Sequence, residues 1–174
     1  MPLHDVDARA RIVGLARPLA AIALCLSAPV APAFAAELTG LPAQLQAKVD
    51  AAAADCAAFG NGTFSLEWGA VERVDLDGDL NRDRVLNEEG FACSTAVTLY
   101  CGTGGCLSHF LVNDRVGSLL NQGWDVLRIG RHGVLVADVH GAQCSGAGPT
   151  PCVTASVWDA EGGVWRSAGA DWEH

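Results

Sequence analysis

The chain has 174 residues, half of them hydrophobic, and a formal net charge of −9 at pH 7. That length supports one compact domain with a sizeable core. The acidic balance argues against nucleic acid and anionic membrane surfaces as partners, because both are bound through clustered Lys and Arg.

The N-terminal segment has the order of a secretory signal peptide. Three arginines precede an apolar run that ends in small residues, "LAAIALCLSAPVAPAFAA", from Leu19 to Ala36. We predict cleavage before Ala36, so that residues 1–35 form the signal peptide and residues 36–174 form one domain without a membrane anchor. A retained transmembrane helix is the alternative, but prolines leave its unbroken apolar part shorter than the ~20 residues that span a bilayer. Cleavage removes three arginines and two aspartates, which changes the net charge from −9 to −10.

Six cysteines remain after this cleavage, and an even number in an exported protein predicts disulfides. Spacing favours three bridges, Cys101–Cys106, Cys144–Cys152 and Cys56–Cys93. The first two close the short segments "CGTGGC" and "CSGAGPTPC", and the third joins the remaining pair, although other pairings stay open. A zinc site is the alternative, but the chain has no Cys-x-x-Cys motif. We therefore expect a disulfide-stapled protein in the periplasm or outside the cell.

Apolar or small residues recur every three or four positions from Leu45 to Phe59, which predicts one helix over about 42 to 59. Pro42 suits the first turn of this helix, and Gly60 suits its end. Cys56 lies on the apolar stripe, so its disulfide would pin the helix to the rest of the domain.

Short runs rich in Val, Leu, Thr and aromatic residues follow Gly60, which is typical of strands joined by tight turns. Examples are "VERVDL", "TAVTLYC", "CLSHFLV" and "VLVADVH", and we expect hairpin turns at 130–133 and 159–163. The segment "RVGSLLNQG" (115–123) predicts a short second helix. Helical patterns do not recur between the strands, so we predict an α+β fold. In it, a mostly antiparallel sheet, as a meander or small sandwich, carries one N-terminal helix.

The stretch "DLDGDLNRD" crowds four aspartates together, Asp75, Asp77, Asp79 and Asp83. Carboxylates this close raise one another's pKa unless a cation lies among them. Ca²⁺ takes about six to eight oxygen ligands at flexible geometry, and alternate aspartates can turn toward one centre. Asn81 could add its backbone carbonyl, as the seventh position of an EF-hand loop does. The alternative is a solvated acidic turn balanced by the nearby arginines.

This loop is not an EF-hand, because Leu86 stands where the glutamate is required and both flanks predict strands. It resembles the calcium loop of the FG-GAP and VCBS repeat families, whose pattern is D-x-[DN]-G-D-G-x-x-D between two strands. Five positions match, namely Asp75, Asp77, Gly78, Asp79 and Asp83. Leu80 replaces the second glycine. The resemblance covers only this loop and its flanks, and it implies a bound structural Ca²⁺ without any activity.

One segment offers residues for an active site. "ADVHG" places Asp138 and His140 two residues apart, where a carboxylate can orient an imidazole, and Ser145 follows in a glycine-rich loop. The chain has no G-x-S-x-G elbow, and alternation on a half-exposed strand explains Asp138 and His140 as well. We therefore expect a monomeric, calcium-stabilised module that binds a protein or small ligand. The alternatives are a small secreted hydrolase using Asp138 and His140, and an inhibitor of an envelope enzyme.

Overall fold

A computed structural model describes residues 40–167, so the signal peptide predicted over residues 1–35 lies outside the described residues. Within them, one helix, α1 (Ala43–Ala58), precedes the strands. The strands in chain order are β1 (Phe64–Leu66), β2 (Val71–Val74), β3 (Asp83–Asn87), β4 (Phe91–Cys93), β5 (Cys101–Gly102), β6 (Gly105–Val112), β7 (Arg115–Asn121), β8 (Gly123–Ile129), β9 (His132–Asp138), β10 (Val153–Asp159) and β11 (Val164–Ser167). Short 3-10 helices occupy Glu88–Gly90 and Gly141–Cys144.

The strands pair into three antiparallel sheets. β1 pairs with β4 alone. The central sheet has the order β2-β3-β6-β5, with β7 also paired to β6, and the outer sheet has the order β11-β10-β9-β8. This arrangement confirms the predicted α+β class, with a mostly antiparallel architecture and one N-terminal helix.

Helix α1 covers one face of the central sheet. It begins after Pro42 and buries the predicted stripe of Leu45, Val49, Ala52 and Cys56. Three of these side chains pack with Leu86 and other apolar residues of the central sheet, which forms the first core cluster. No helix within residues 40–167 is long and apolar enough to cross a membrane.

The second core cluster fills the space between the central and outer sheets. Leu76, Val85 and Phe110 come from the central-sheet side and Leu135 from the outer sheet. Trp124 of the outer sheet meets Phe110 edge to face at a centroid distance of 5.2 Å. The helix, the central sheet and the outer sheet thus form three layers, and the described residues cover the outer sheet on its inner face only.

The structure contains the three disulfides that spacing favoured: Cys56–Cys93, Cys101–Cys106 and Cys144–Cys152. The first joins α1 to β4, and the second closes the β5–β6 hairpin, where the two cysteines are cross-strand partners. Three disulfides indicate an oxidising environment, because thiols stay reduced in the cytosol.

The helix predicted over 115–123 is wrong, because Arg115–Asn121 forms β7 and pairs with β6 along its whole length. Val116, Leu119 and Leu120 have a helix-like spacing, but Val116 packs toward α1 while Leu119 packs toward the outer sheet. Long-range pairing therefore overrides the local pattern. The strand predicted from "TAVTLYC" is also largely wrong, since most of it forms turns and only its last residue, Cys101, belongs to a strand.

The Cys56–Cys93 disulfide should contribute more to stability than the Cys101–Cys106 disulfide. It closes the longer loop, with a sequence separation of 37 against 5. Loop entropy predicts a loss of about 4 kcal/mol for the first bridge and about 2 kcal/mol for the second. Urea unfolding of the two double alanine variants measures both losses. Equal losses, or a larger loss at Cys101–Cys106, would contradict this ranking.

Candidate metal centre

The aspartate loop connects β2 to β3 at one end of the central sheet. Asp75 follows the last residue of β2, and Asp83 begins β3 as the cross-strand partner of Val74. Because the hairpin brings its two ends together, the carboxylates of Asp75, Asp77 and Asp83 converge. One oxygen of each lies within 4.8 Å of the other two.

Backbone amides of the loop hold these carboxylates in place. The Leu76 N–H donates to Asp83 Oδ2 at 2.8 Å, and the Gly78 N–H donates to Asp75 Oδ1 at 2.7 Å. The Leu76 side chain is fully buried between the two sheets, so it anchors the loop in the core. The arrangement therefore does not depend on the exposed side chains of the loop.

Asp79, another predicted ligand, lies outside the converging carboxylates, and the side chain of Asn81 is hydrogen-bonded to it. Both Asp79 oxygens accept hydrogen bonds from Asn81, from its backbone N–H at 2.7 Å and from its side-chain Nδ2 at 2.8 Å. Both residues are exposed. The structure thus brings together three of the four predicted aspartates, and the Asp79 and Asn81 side chains satisfy each other.

Leu80 adopts the backbone conformation that the second glycine of the repeat pattern would favour. Its φ is +73°, in the left-handed region, and its side chain is 86% exposed. A left-handed conformation costs a residue with a Cβ roughly 1 kcal/mol, and an exposed side chain regains little by packing. The loop therefore keeps its turn despite the leucine. The Leu80 N–H donates to Asp75 Oδ2 at 2.8 Å.

Arg128 is a partner of this loop that the sequence analysis missed. Its guanidinium Nη2 forms an ion pair with Asp75 Oδ2. The arginines considered from the sequence were close neighbours in the chain, whereas Arg128 reaches the loop from β8 of the outer sheet. One signal was present: strand alternation puts Arg128 on the same face as the apolar Trp124 and Val126, which is the face expected to turn toward the core.

The loop environment affects the acidity of two carboxyl groups in opposite directions. Burial raises the pKa of Asp83 to about 6, and the other three aspartates of the loop add to this rise, although the Leu76 amide opposes it. Burial also acts upward on Asp75, but hydrogen bonds from Gly78, Arg128 and Leu80 hold its pKa below the ordinary value. Of these two residues, Asp83 is thus the one whose ionised form the loop destabilises.

The converging oxygens are suited to a hard cation. Within residues 40–167, no hydrogen bond engages Asp77 Oδ2 or Asp83 Oδ1, so each residue retains a lone-pair-bearing oxygen. Carboxylate oxygens without nitrogen or sulfur donors suit Ca²⁺ or Mg²⁺, and Ca²⁺ tolerates the irregular geometry of a loop better. Backbone carbonyls and water would supply the remaining ligands.

The hydrolase residues considered above do not form a catalytic arrangement among the described residues. Asp138 is exposed at the end of β9, and no described hydrogen bond or ion pair joins it to His140. His140 instead caps a 3-10 helix, where its Nδ1 accepts from the Ala142 N–H at 3.3 Å. Ser145 has a φ of +59° next to the disulfide-bonded Cys144.

A buried histidine that sequence reasoning did not single out has two polar partners. His109 on β6 contacts Ser118 Oγ through Nδ1 at 2.7 Å and Glu88 Oε1 through Nε2 at 3.0 Å. His109 and Ser118 are cross-strand partners, so the β6–β7 register creates the first contact. The network satisfies a histidine that is 2% exposed beside α1.

No protein-family model matches the chain, and no match was found among curated proteins or solved structures.

Replacing Leu80 with glycine should stabilise the protein by about 0.5–1 kcal/mol. Glycine adopts the left-handed conformation without the Cβ clash, and this gain exceeds the added entropy of the unfolded chain. Urea unfolding measures the change. Leu80→Ala is the matched control, because it removes the same exposed side chain but keeps the clash. If both variants behaved alike, the backbone conformation would not be the cause.

Without metal, the stability of the protein should increase as the pH falls from 7 to 5. The folded-state pKa of Asp83 is about 6, above its ordinary value of 3.8, so the folded state takes up the proton first. This stabilisation is complete below about pH 3.8 and is lost as the pH rises through about 6. Solvent screening reduces it to about 1 kcal/mol.

Thermal unfolding in the presence of a chelator measures this pH effect. Asp83→Asn should lose it because asparagine does not ionise, whereas Asp50→Asn on the exposed face of α1 should keep it. The difference in pH dependence between wild type and Asp83→Asn isolates the contribution of Asp83, because the histidines are the same in both proteins. An identical pH profile for both would contradict the assignment.

Proposed function

We propose that the protein is a calcium-stabilised binding module of the periplasm or extracellular space, in which Ca²⁺ fastens the aspartate loop. The observation that supports the calcium most directly is the convergence of Asp75, Asp77 and Asp83 within 4.8 Å. Like charges at this distance repel one another, and a divalent cation relieves that repulsion. The resemblance to the FG-GAP and VCBS loop supports the same ion.

A cation here would act on the contact between the two sheets. The loop lies against the β8–β9 turn so closely that a side chain at Gly78 would meet the Arg131 carbonyl oxygen. A side chain at Gly133 would likewise meet the Leu76 carbonyl oxygen. Ca²⁺ that rigidifies the loop would therefore also stabilise the packing of the outer sheet on the central sheet.

Arg128 determines how large the calcium effect can be. In the absence of an ion, its guanidinium neutralises one of the three carboxylates. Ca²⁺ would share Asp75 with this guanidinium or displace it, so binding must overcome part of an existing ion pair. We therefore propose modest affinity, with a dissociation constant near 0.1–1 mM, as is usual for extracellular modules.

Binding is favoured over hydrolysis as the role of the protein. Asp138 and His140 lack the hydrogen bond that would orient a catalytic imidazole, and the buried His109 is held by its own partners. The three disulfides fit an exported module that must stay folded outside the cell. The predicted signal peptide supports the same location.

Calcium at about twenty times its dissociation constant should stabilise the protein by about 1.8 kcal/mol, or about 5 °C in Tm. Asp77→Asn and Asp83→Asn should abolish this shift, because each removes a converging carboxylate. Asp79→Asn is the matched control from the same loop, and it should retain most of the shift because Asp79 lies outside the converging group. Melting scans with Ca²⁺ and with chelator measure all four proteins.

Arg128→Gln provides an independent comparison. It should lower the stability of the metal-free protein and enlarge the calcium shift, since the competing cation is gone. A shift absent in wild type and in Arg128→Gln would refute the calcium site. An equal shift in Asp77→Asn and wild type would place the ion elsewhere.

A further inference from the structure

The outer sheet presents an apolar surface on the side away from the central sheet. Six large apolar side chains of β8, β9 and β10 point outward, and we call them the outer apolar face: Leu127, Ile129, Val134, Val136, Val153 and Val157. Cross-strand pairing places Leu127, Val134 and Val157 in one row across β8, β9 and β10. The alternate residues point inward and join the core between the sheets.

This surface is unusual because these strands are apolar on both faces. Ile129 is 64% exposed, Val153 61% and Leu127 50%. A sheet covered on one side normally alternates apolar and polar residues, whereas continuous apolar runs are typical of strands covered on both sides. Within residues 40–167 the central sheet has both faces covered, but nothing packs on the outer apolar face. Contiguous exposed apolar patches mark interaction sites.

The charges on the same surface indicate what would cover it. Asp125 is the cross-strand partner of Val136, and Asp138 is the partner of Val153, so both carboxylates border the outer apolar face and lie diagonally to each other. Both are exposed, and neither forms an ion pair within the described range. Asp159 and Arg166, the cross-strand partner of Val157, lie on the same face and are paired with each other at 2.6 Å, so they offset one another.

We propose that the outer apolar face binds a protein segment whose own apolar surface is flanked by Lys or Arg. Apolar burial would supply most of the affinity, and pairing with Asp125 and Asp138 would supply selectivity. A second copy of this chain fits poorly, because its net charge of −9 and its own aspartates would face these carboxylates. The last residues of the chain, 168–174, fit poorly too, since they include Asp171 and Glu173.

This inference deepens the proposed role as a binding module and rests on that role, but not on the calcium site. The probe is a fluorescein-labelled peptide of about eight residues with a valine centre and lysines at both ends, the Val–Lys peptide. It is compared with a Val–Glu peptide of equal length, which has glutamates at both ends. Fluorescence anisotropy with the purified protein measures both affinities. We expect the Val–Lys peptide to bind at least tenfold more tightly, with an affinity that falls as salt rises from about 0.05 to about 0.5 M.

Two pairs of variants test the surface. Leu127→Lys should weaken Val–Lys peptide binding at least tenfold, whereas Val97→Lys, at a side chain that is 99% exposed elsewhere, should not. Asp125→Asn with Asp138→Asn should weaken it about fivefold and reduce the salt dependence, whereas Asp50→Asn should not. Val153→Thr keeps the side-chain shape, so it tests the same surface with less risk of a folding defect than Leu127→Lys. Val153→Thr should weaken Val–Lys peptide binding about twofold. Melting scans check that both variants are folded.

Several results would overturn the proposal. The first is equal binding of the two peptides, and the second is unchanged binding in Leu127→Lys or Val153→Thr. The third is a wild-type dimer in sedimentation that Leu127→Lys dissociates, because that result would assign the face to a second copy. Tighter binding by Trp172→Ala would assign it to the C-terminal residues. Measurements with Ca²⁺ and with chelator separate the two proposals, because peptide binding that persists without any calcium effect refutes only the calcium site.

Discussion

The burial of Leu76 is the constraint on which the aspartate loop and the contact between the two sheets both depend. Its side chain is fully buried in the core between the sheets, its N–H donates to Asp83, and its carbonyl lies against Gly133. An acidic loop is a poor element to pack against another sheet, since burial raises the energy of its carboxylates. The leucine inserted among the aspartates offsets that cost by burying apolar surface at the same point.

The same constraint explains how the loop distributes its charges. Asp83, which is held toward the interior by the Leu76 amide, has the raised pKa, whereas Asp79 remains in solvent with Asn81. Arg128 reaches Asp75 from the opposite sheet, so the ion pair also crosses the contact. Packing and electrostatics therefore converge on one small region. An ion bound there would further stabilise the packing of the two sheets, which the apolar core already favours.

Local patterns predicted the elements that depend on local chemistry. The helix follows from its three-and-four spacing, and the short disulfides follow from glycine-rich segments between cysteines. The error at β7 has a physical cause: Val116, Leu119 and Leu120 have a helical spacing, but pairing with β6 sends them to opposite faces. The candidate site also combines features that follow from local sequence with one that follows only from the fold. Asp75, Asp77 and Asp83 were predicted from spacing, whereas Arg128 is 53 residues from Asp75 in the chain and only the fold brings it close.

The positions of the disulfides have a mechanical consequence. Cys56–Cys93 fastens the helix to β4, Cys101–Cys106 closes a hairpin of the central sheet, and Cys144–Cys152 stays beside β9 and β10. None of the three links the central sheet to the outer sheet. Under a pulling force the two sheets can therefore separate without breaking a sulfur–sulfur bond. The resistance to that separation comes from the apolar core between the sheets, the charged loop and the hydrogen bond from Trp124 Nε1 to Asn87 Oδ1.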